Sequence, residues 1–140
     1  MSENEKQRLF TLEEANALVP ELNRLIGHVQ KKYRELLQEL AKRGLTPDAL
    51  EEALTTSEHA DLQAYLDEIT AAIAEIEGYG CHFKGLDLGL VDFPAMINDE
   101  VAYLCWQYGE ERVAFWHTLE GGFKARQAIA PEAPGRHSIN

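Results

Sequence analysis

From Leu22 to Leu40 the apolar residues fall at Leu22, Ile26, Val29, Tyr33, Leu36 and Leu40, alternately four and three positions apart. That spacing predicts a long helix with a heptad seam rather than a broad apolar face. A second seam follows at Leu62, Leu66, Ile69, Ile73 and Ile76. Six basic residues lie between Arg24 and Arg43, whereas residues 46–79 hold nine acidic residues and neither Lys nor Arg. Facing charges of opposite sign favour pairing of the two segments. The prediction is a long antiparallel helical hairpin, coiled-coil-like, with arms of about 30–35 Å at a rise of about 1.5 Å per residue.

Local signals set the expected helix ends. Thr11 and Glu14 match a capping box, so a helix should begin at Leu12. Pro20 removes an N–H and crowds the preceding turn, which predicts a stop near Leu18 or a kink. Gly44 should end the long helix. Thr46-Pro47-Asp48 predicts a short helix over 47–55, interrupted by Thr55-Thr56-Ser57. Gly78 and Gly80 should terminate the second seam.

Beyond Gly80 the helical period is lost. Cys81–Lys84 and Leu90–Phe93 read as short strands, the second closed by Pro94. Val101–Tyr108 and Arg112–Thr118 read as an antiparallel hairpin turning at Gly109-Glu110. The expected fold is therefore α+β, with the helical hairpin packed on a small C-terminal antiparallel β-sheet. Residues 1–130 form one domain, divided into the hairpin at 10–79 and a β-rich part at 80–127. Residues 131–140, with Pro131, Pro134 and Gly135, are expected to be a flexible tail.

Composition narrows the function classes. The 140-residue chain is 45% hydrophobic and 26% charged, with a formal net charge of −11. Such a charge opposes nucleic acid and anionic membranes, whose recognition needs clustered Lys and Arg. No apolar run approaches the roughly 18 residues of a membrane span. The polar start MSENEKQRLF lacks the apolar stretch of a secretory signal, so a cytoplasmic location is expected. Two cysteines, 24 positions apart, are then expected to be reduced thiols.

Candidate ligand-binding residues concentrate at Asp92, Cys105, Trp106, Trp116, His117 and Arg126. Cys105 and His117 are the pair from which a transition-metal site could be built, and register decides whether they meet. A two-residue type II′ turn at Gly109-Glu110 pairs Cys105 with Ala114 and points Cys105 and His117 to opposite faces. A one-residue bulge would bring them together. On the favoured register no metal and no cofactor are expected. Asp92, flanked by Leu90, Val91, Phe93 and Pro94, should be at least half buried and paired, with Arg126 or with backbone N–H groups near Gly85–Gly89. Lys84 is the other available cation. In Cys81-His82, adjacent strand positions face opposite ways, which disfavours joint ligation. The chain holds no Walker loop, GxGxxG, HExxH, EF-hand or nucleophile elbow.

The segment from Phe10 to Pro20, the run Lys84–Pro94, and then Tyr103–Trp106, Gly109-Glu110, Trp116-His117 and Gly122–Arg126 together resemble an uncharacterised prokaryotic family, domain of unknown function 2203. The resemblance covers Phe10 to Gln127 and implies a small cytosolic protein with a helical hairpin and a short sheet. It implies no activity, cofactor or substrate. Phe115 stands where a second Trp is common in that family, and the 44–57 connection is long. Both predicted faces of the 101–118 hairpin are apolar, and the helices can cover only one of them. The leading expectation is thus a non-enzymatic interaction module that pairs with a second copy of itself or with another protein. The alternative is a small-ligand or metal-binding domain, enzymatic activity left open, with a pocket between sheet and helices.

Overall fold

A computed structural model describes residues 8–129. The order is α1 (Leu12–Lys42), a 3-10 turn at Pro47–Ala49, α2 (Leu50–Ala53), a 3-10 segment at Ser57–Leu62 and α3 (Gln63–Gly78), then β1 (His82–Lys84), β2 (Leu90–Ile97), β3 (Glu100–Gln107), β4 (Phe115–His117) and β5 (Gln127–Ala128). The α+β class is as expected from the sequence. The five strands form one antiparallel sheet in chain order. The proposed tail falls outside the described residues.

The capping box at Thr11 is made in both directions, Glu14 N donating to Thr11 Oγ1 and Thr11 N to the Glu14 carboxylate. The expected break at Pro20 does not occur, and α1 runs through it for 31 residues, about 46 Å at the usual rise. Pro20 is exposed, so its ring meets no packed neighbour and burial on the opposite side holds the helix together. The buried stripe is also broader than a heptad seam. Ala15, Val19 and Leu25 join Leu22, Ile26, Val29, Leu36 and Leu40, because α1 belongs to a core that takes in residues of both α3 and the sheet. α3 has only 16 residues, about 24 Å, far shorter than α1. Ion pairs Arg24–Glu75, Lys32–Glu68 and Arg43–Asp61 link basic positions of α1 to the acidic second segment.

In the sheet, the tight hairpin joins β2 to β3 rather than β3 to β4. It turns at Asn98-Asp99, whose φ values of 53° and 67° are those of a two-residue primed turn. Pro94 lies inside β2 and does not close it. Its free nitrogen faces the edge where β1 has already ended at the His82–Asp92 pair, so no ladder bond is lost. The Pro94 carbonyl on that edge accepts from Phe10 N at 2.7 Å.

The loop between β1 and β2 is held against α1, Gln30 Nε2 donating to Leu86 O at 3.1 Å. Gly89 ends this loop at φ +66°, and a Cβ there would lie 2.8 Å from Cβ of Tyr108. Gly85 also has positive φ, +83°, but open space around it. Gly89→Ala should therefore destabilise the chain by about 2 kcal/mol or more, through left-handed strain plus overpacking, while Gly85→Ala costs only the strain, about 1 kcal/mol. Urea midpoints of the two variants check this, and equal shifts would remove the packing contribution.

Candidate functional site

Strand parity sorts the side chains of the sheet into two faces. Val91, Phe93, Ala95, Ile97, Ala102, Leu104 and Trp106 belong to the hydrophobic core shared with the helices. The outer face carries His82, Asp92, Cys105 and Phe115 in one row, since these are successive cross-strand partners. The neighbouring row holds Pro94, Tyr103 and His117. Cys105 pairs with Phe115 and not with Ala114, one residue away from the expected type II′ register. That single step brings Cys105 and His117 onto one face, together with Asp92.

The register is set by the seven-residue connection 108–114. Glu110 N donates to Gln107 O at 2.9 Å, Gln107 N donates to the Glu110 carboxylate at 2.9 Å, and the Trp106 indole donates to Glu110 O at 3.0 Å. Asn16 on α1 then accepts from Val113 N at 2.7 Å. A two-residue turn could not make these contacts.

Asp92, Cys105 and His117 are only 4%, 1% and 2% exposed. One carboxylate oxygen of Asp92 lies 3.0 Å from His117 Nε2, and the other lies 3.5 Å from Lys84 Nζ. Asp92 is buried as expected, but its partners are Lys84 and His117 rather than backbone N–H groups of Gly85–Gly89. Arg126 is not one of them. Its guanidinium instead binds both oxygens of Glu110 at 3.0 and 2.8 Å and stacks 3.8 Å over the Phe115 ring and 4.8 Å over that of Phe123. Arg126 thus ties the last described segment to the outer face, and its Nε is buried with no partner among the described residues. Glu110 carries no signal of this role in the sequence beyond its place after a turn glycine.

Hydrogen-bond chemistry fixes the His117 ring. Nδ1 is 2.7 Å from Thr118 O, and a carbonyl oxygen can only accept, so Nδ1 carries the hydrogen. Nε2 faces an acceptor as well. The Asp92–His117 contact therefore needs a proton, or a metal cation in the proton's place, between two lone pairs. Ligand atoms of Asp92, Cys105 and His117 all lie within 4.8 Å of one another. Burial, and then the neighbouring Asp92 carboxylate, push the Cys105 thiol up to about 12. A Cys–His–Asp nucleophilic triad does not fit this arrangement, because both nitrogens of His117 are engaged elsewhere and the thiol is held protonated.

The two tryptophans do not join this cluster. Trp106 is fully buried on the inner face, and Trp116, paired with Leu104, lies on that face too and lines a cavity of about 280 Å³ with Ile97, Val101 and Leu119. Cys81 belongs to the core, its thiol pushed up to about 11 by burial and donating to Ile76 O. Neither cysteine is in a disulfide. Among the described residues no helix is long and apolar enough to cross a membrane.

Fold and site together define a small α+β protein whose sheet carries a buried carboxylate, thiol and imidazole on the face turned away from the helices. The model of the family described as uncharacterized conserved protein (DUF2203) matches residues 8–129, and the chain belongs to that family. No curated protein and no solved structure matches the chain.

Proposed function

We propose that this protein binds a transition-metal ion, of which Zn²⁺ is the type, through Asp92, Cys105 and His117. The observation that carries this reading is the convergence of three different ligand types on one buried point, their donor atoms within 4.8 Å. A tetrahedral zinc with bonds of about 2.0–2.3 Å places its ligands about 3.5 Å apart, so a contraction of about 1 Å closes the site. The thiolate and imidazole favour zinc-like metals over Mg²⁺ or Ca²⁺, which prefer oxygen. His117 also has the support that such ligands use, its far nitrogen donating to a backbone carbonyl.

Pairing with a second copy would cover an outer face left apolar and bare. Here that face buries its own polar cluster and is clasped by Arg126 from the same chain, so the metal reading is the better supported of the two. The test is direct. The purified chain, loaded with Zn²⁺ and dialysed, should retain close to one equivalent, and with Co²⁺ it should show a thiolate-to-metal charge-transfer band. Both should be lost in Cys105→Ser. Zinc retention that is nil, or indifferent to Cys105→Ser, would overturn the reading.

A further inference from the structure

Three ligands leave a tetrahedral metal one position short, and the nature of the fourth decides what the centre is for. A water or substrate there makes an open, reactive site, and a fourth side chain makes a closed one. The outer face holds one further metal-ligating ring close by. His82 is the direct cross-strand partner of Asp92, which is in turn the partner of Cys105, so the three stand in a row across β1, β2 and β3. Side chains of directly opposite residues start about 5 Å apart, within reach of an imidazole.

The rings of His82 and of Tyr103 on β3 meet over β2, the strand of Asp92, with centroids 5.9 Å apart in an edge-on contact. Tyr103 also contacts His117, with centroids 5.4 Å apart. Tyr103 is thus in contact with both imidazoles. His82 is half buried, and none of the hydrogen bonds among the described residues engages its nitrogens. Its nitrogens are therefore open to water and free of protein partners among the described residues, so the ring can turn onto a metal without breaking a hydrogen bond.

Resting on the metal-binding reading, we infer that His82 is the fourth ligand, turning from Tyr103 onto the metal to complete an Asp92, Cys105, His82 and His117 centre. The centre is then closed and four-coordinate, built to hold its ion rather than to expose it to a substrate. It also fastens β1, the short edge strand that follows α3, to the middle of the sheet.

The experiment compares the full chain with His82→Ala and His82→Gln, loaded with Co²⁺ and with Zn²⁺. Removing a first ligand should weaken affinity by at least the roughly 10–100-fold seen when ligand-supporting residues are lost. In the Co²⁺ protein, paramagnetically shifted exchangeable imidazole N–H resonances should come from both His82 and His117, and the His82 signal alone should vanish in either variant. Added imidazole should restore the four-coordinate absorption of His82→Ala. Thermal midpoints of the metal-free variants should match that of the parent chain, because a half-exposed ring without hydrogen bonds contributes little. If the parent chain binds metal and the His82 variants bind it equally, with unchanged spectra, the fourth-ligand inference is wrong and the three-ligand site stands. If the parent chain binds no metal, both fall together.

Discussion

Asp92→Ala lowers the stability of the metal-free chain by about 3–5 kcal/mol, the range for removing one member of a buried, hydrogen-bonded ion pair. Three features make Asp92 costly to lose. Its carboxylate is almost fully buried, it faces Nε2 of an equally buried His117, and its second oxygen is close to Lys84. Without it, His117 keeps its bond to Thr118 O but has no partner for Nε2 at a buried position. Most of the effect arises there, because Lys84 is 54% exposed and regains water. For a chain of this size the thermal midpoint should fall on the order of 10–20 °C. Asp87→Ala, exposed in the loop between β1 and β2, is the control and should leave the midpoint nearly unchanged. Equal shifts for the two variants, read by thermal denaturation with a chelator present, would reduce Asp92 to an ordinary surface acid.

Zinc should raise the stability of the same chain by about 4 kcal/mol when free metal is a thousandfold above its dissociation constant, since ligands that bind only the folded state stabilise it by mass action. The matched variant is Cys105→Ala. Metal-free, it should cost only about 1 kcal/mol, because it removes one small buried group. With zinc present it should gain almost nothing, because the thiolate is the softest and strongest donor of the set and the oxygen and nitrogen ligands left behind hold zinc far more weakly. Denaturant midpoints with and without zinc give all four values. A zinc increment that survives Cys105→Ala would place the metal elsewhere in the molecule.

Much of the helical part was legible locally. Thr11 and Glu14 mark the helix start, and Gly44, at φ +71°, follows its end, because caps and left-handed glycines depend on residues a few positions apart. Burial of Asp92 was legible for the same reason, its neighbours on both sides being apolar. Local rules and the structure part at two prolines and one turn. Pro20 and Pro94 are breakers by local rules, yet one sits on the solvent side of a helix anchored by its other face and the other on a strand edge left free by a short neighbour. Asn98-Asp99 carries no glycine, whereas Gly109-Glu110 does, so local rules favour the second turn. Both Asn and Asp nonetheless adopt the left-handed region, and the eight-residue pairing of β2 with β3 holds them there.

The sequence by itself determined the α+β class, the ends of α1 and the set of reactive side chains, since each rests on short-range spacing or on residue identity. Tertiary structure alone decided which of those side chains meet. Strand faces alternate with a period of two, so one residue of register separates a Cys105 turned away from His117 from a Cys105 beside it. The choice was made at a distance, by Asn16 of α1 holding Val113 and by Glu110 gathering Gln107, Trp106 and Arg126. No pattern within the strands records those contacts, and the grouping of Asp92, Cys105 and His117 follows from them.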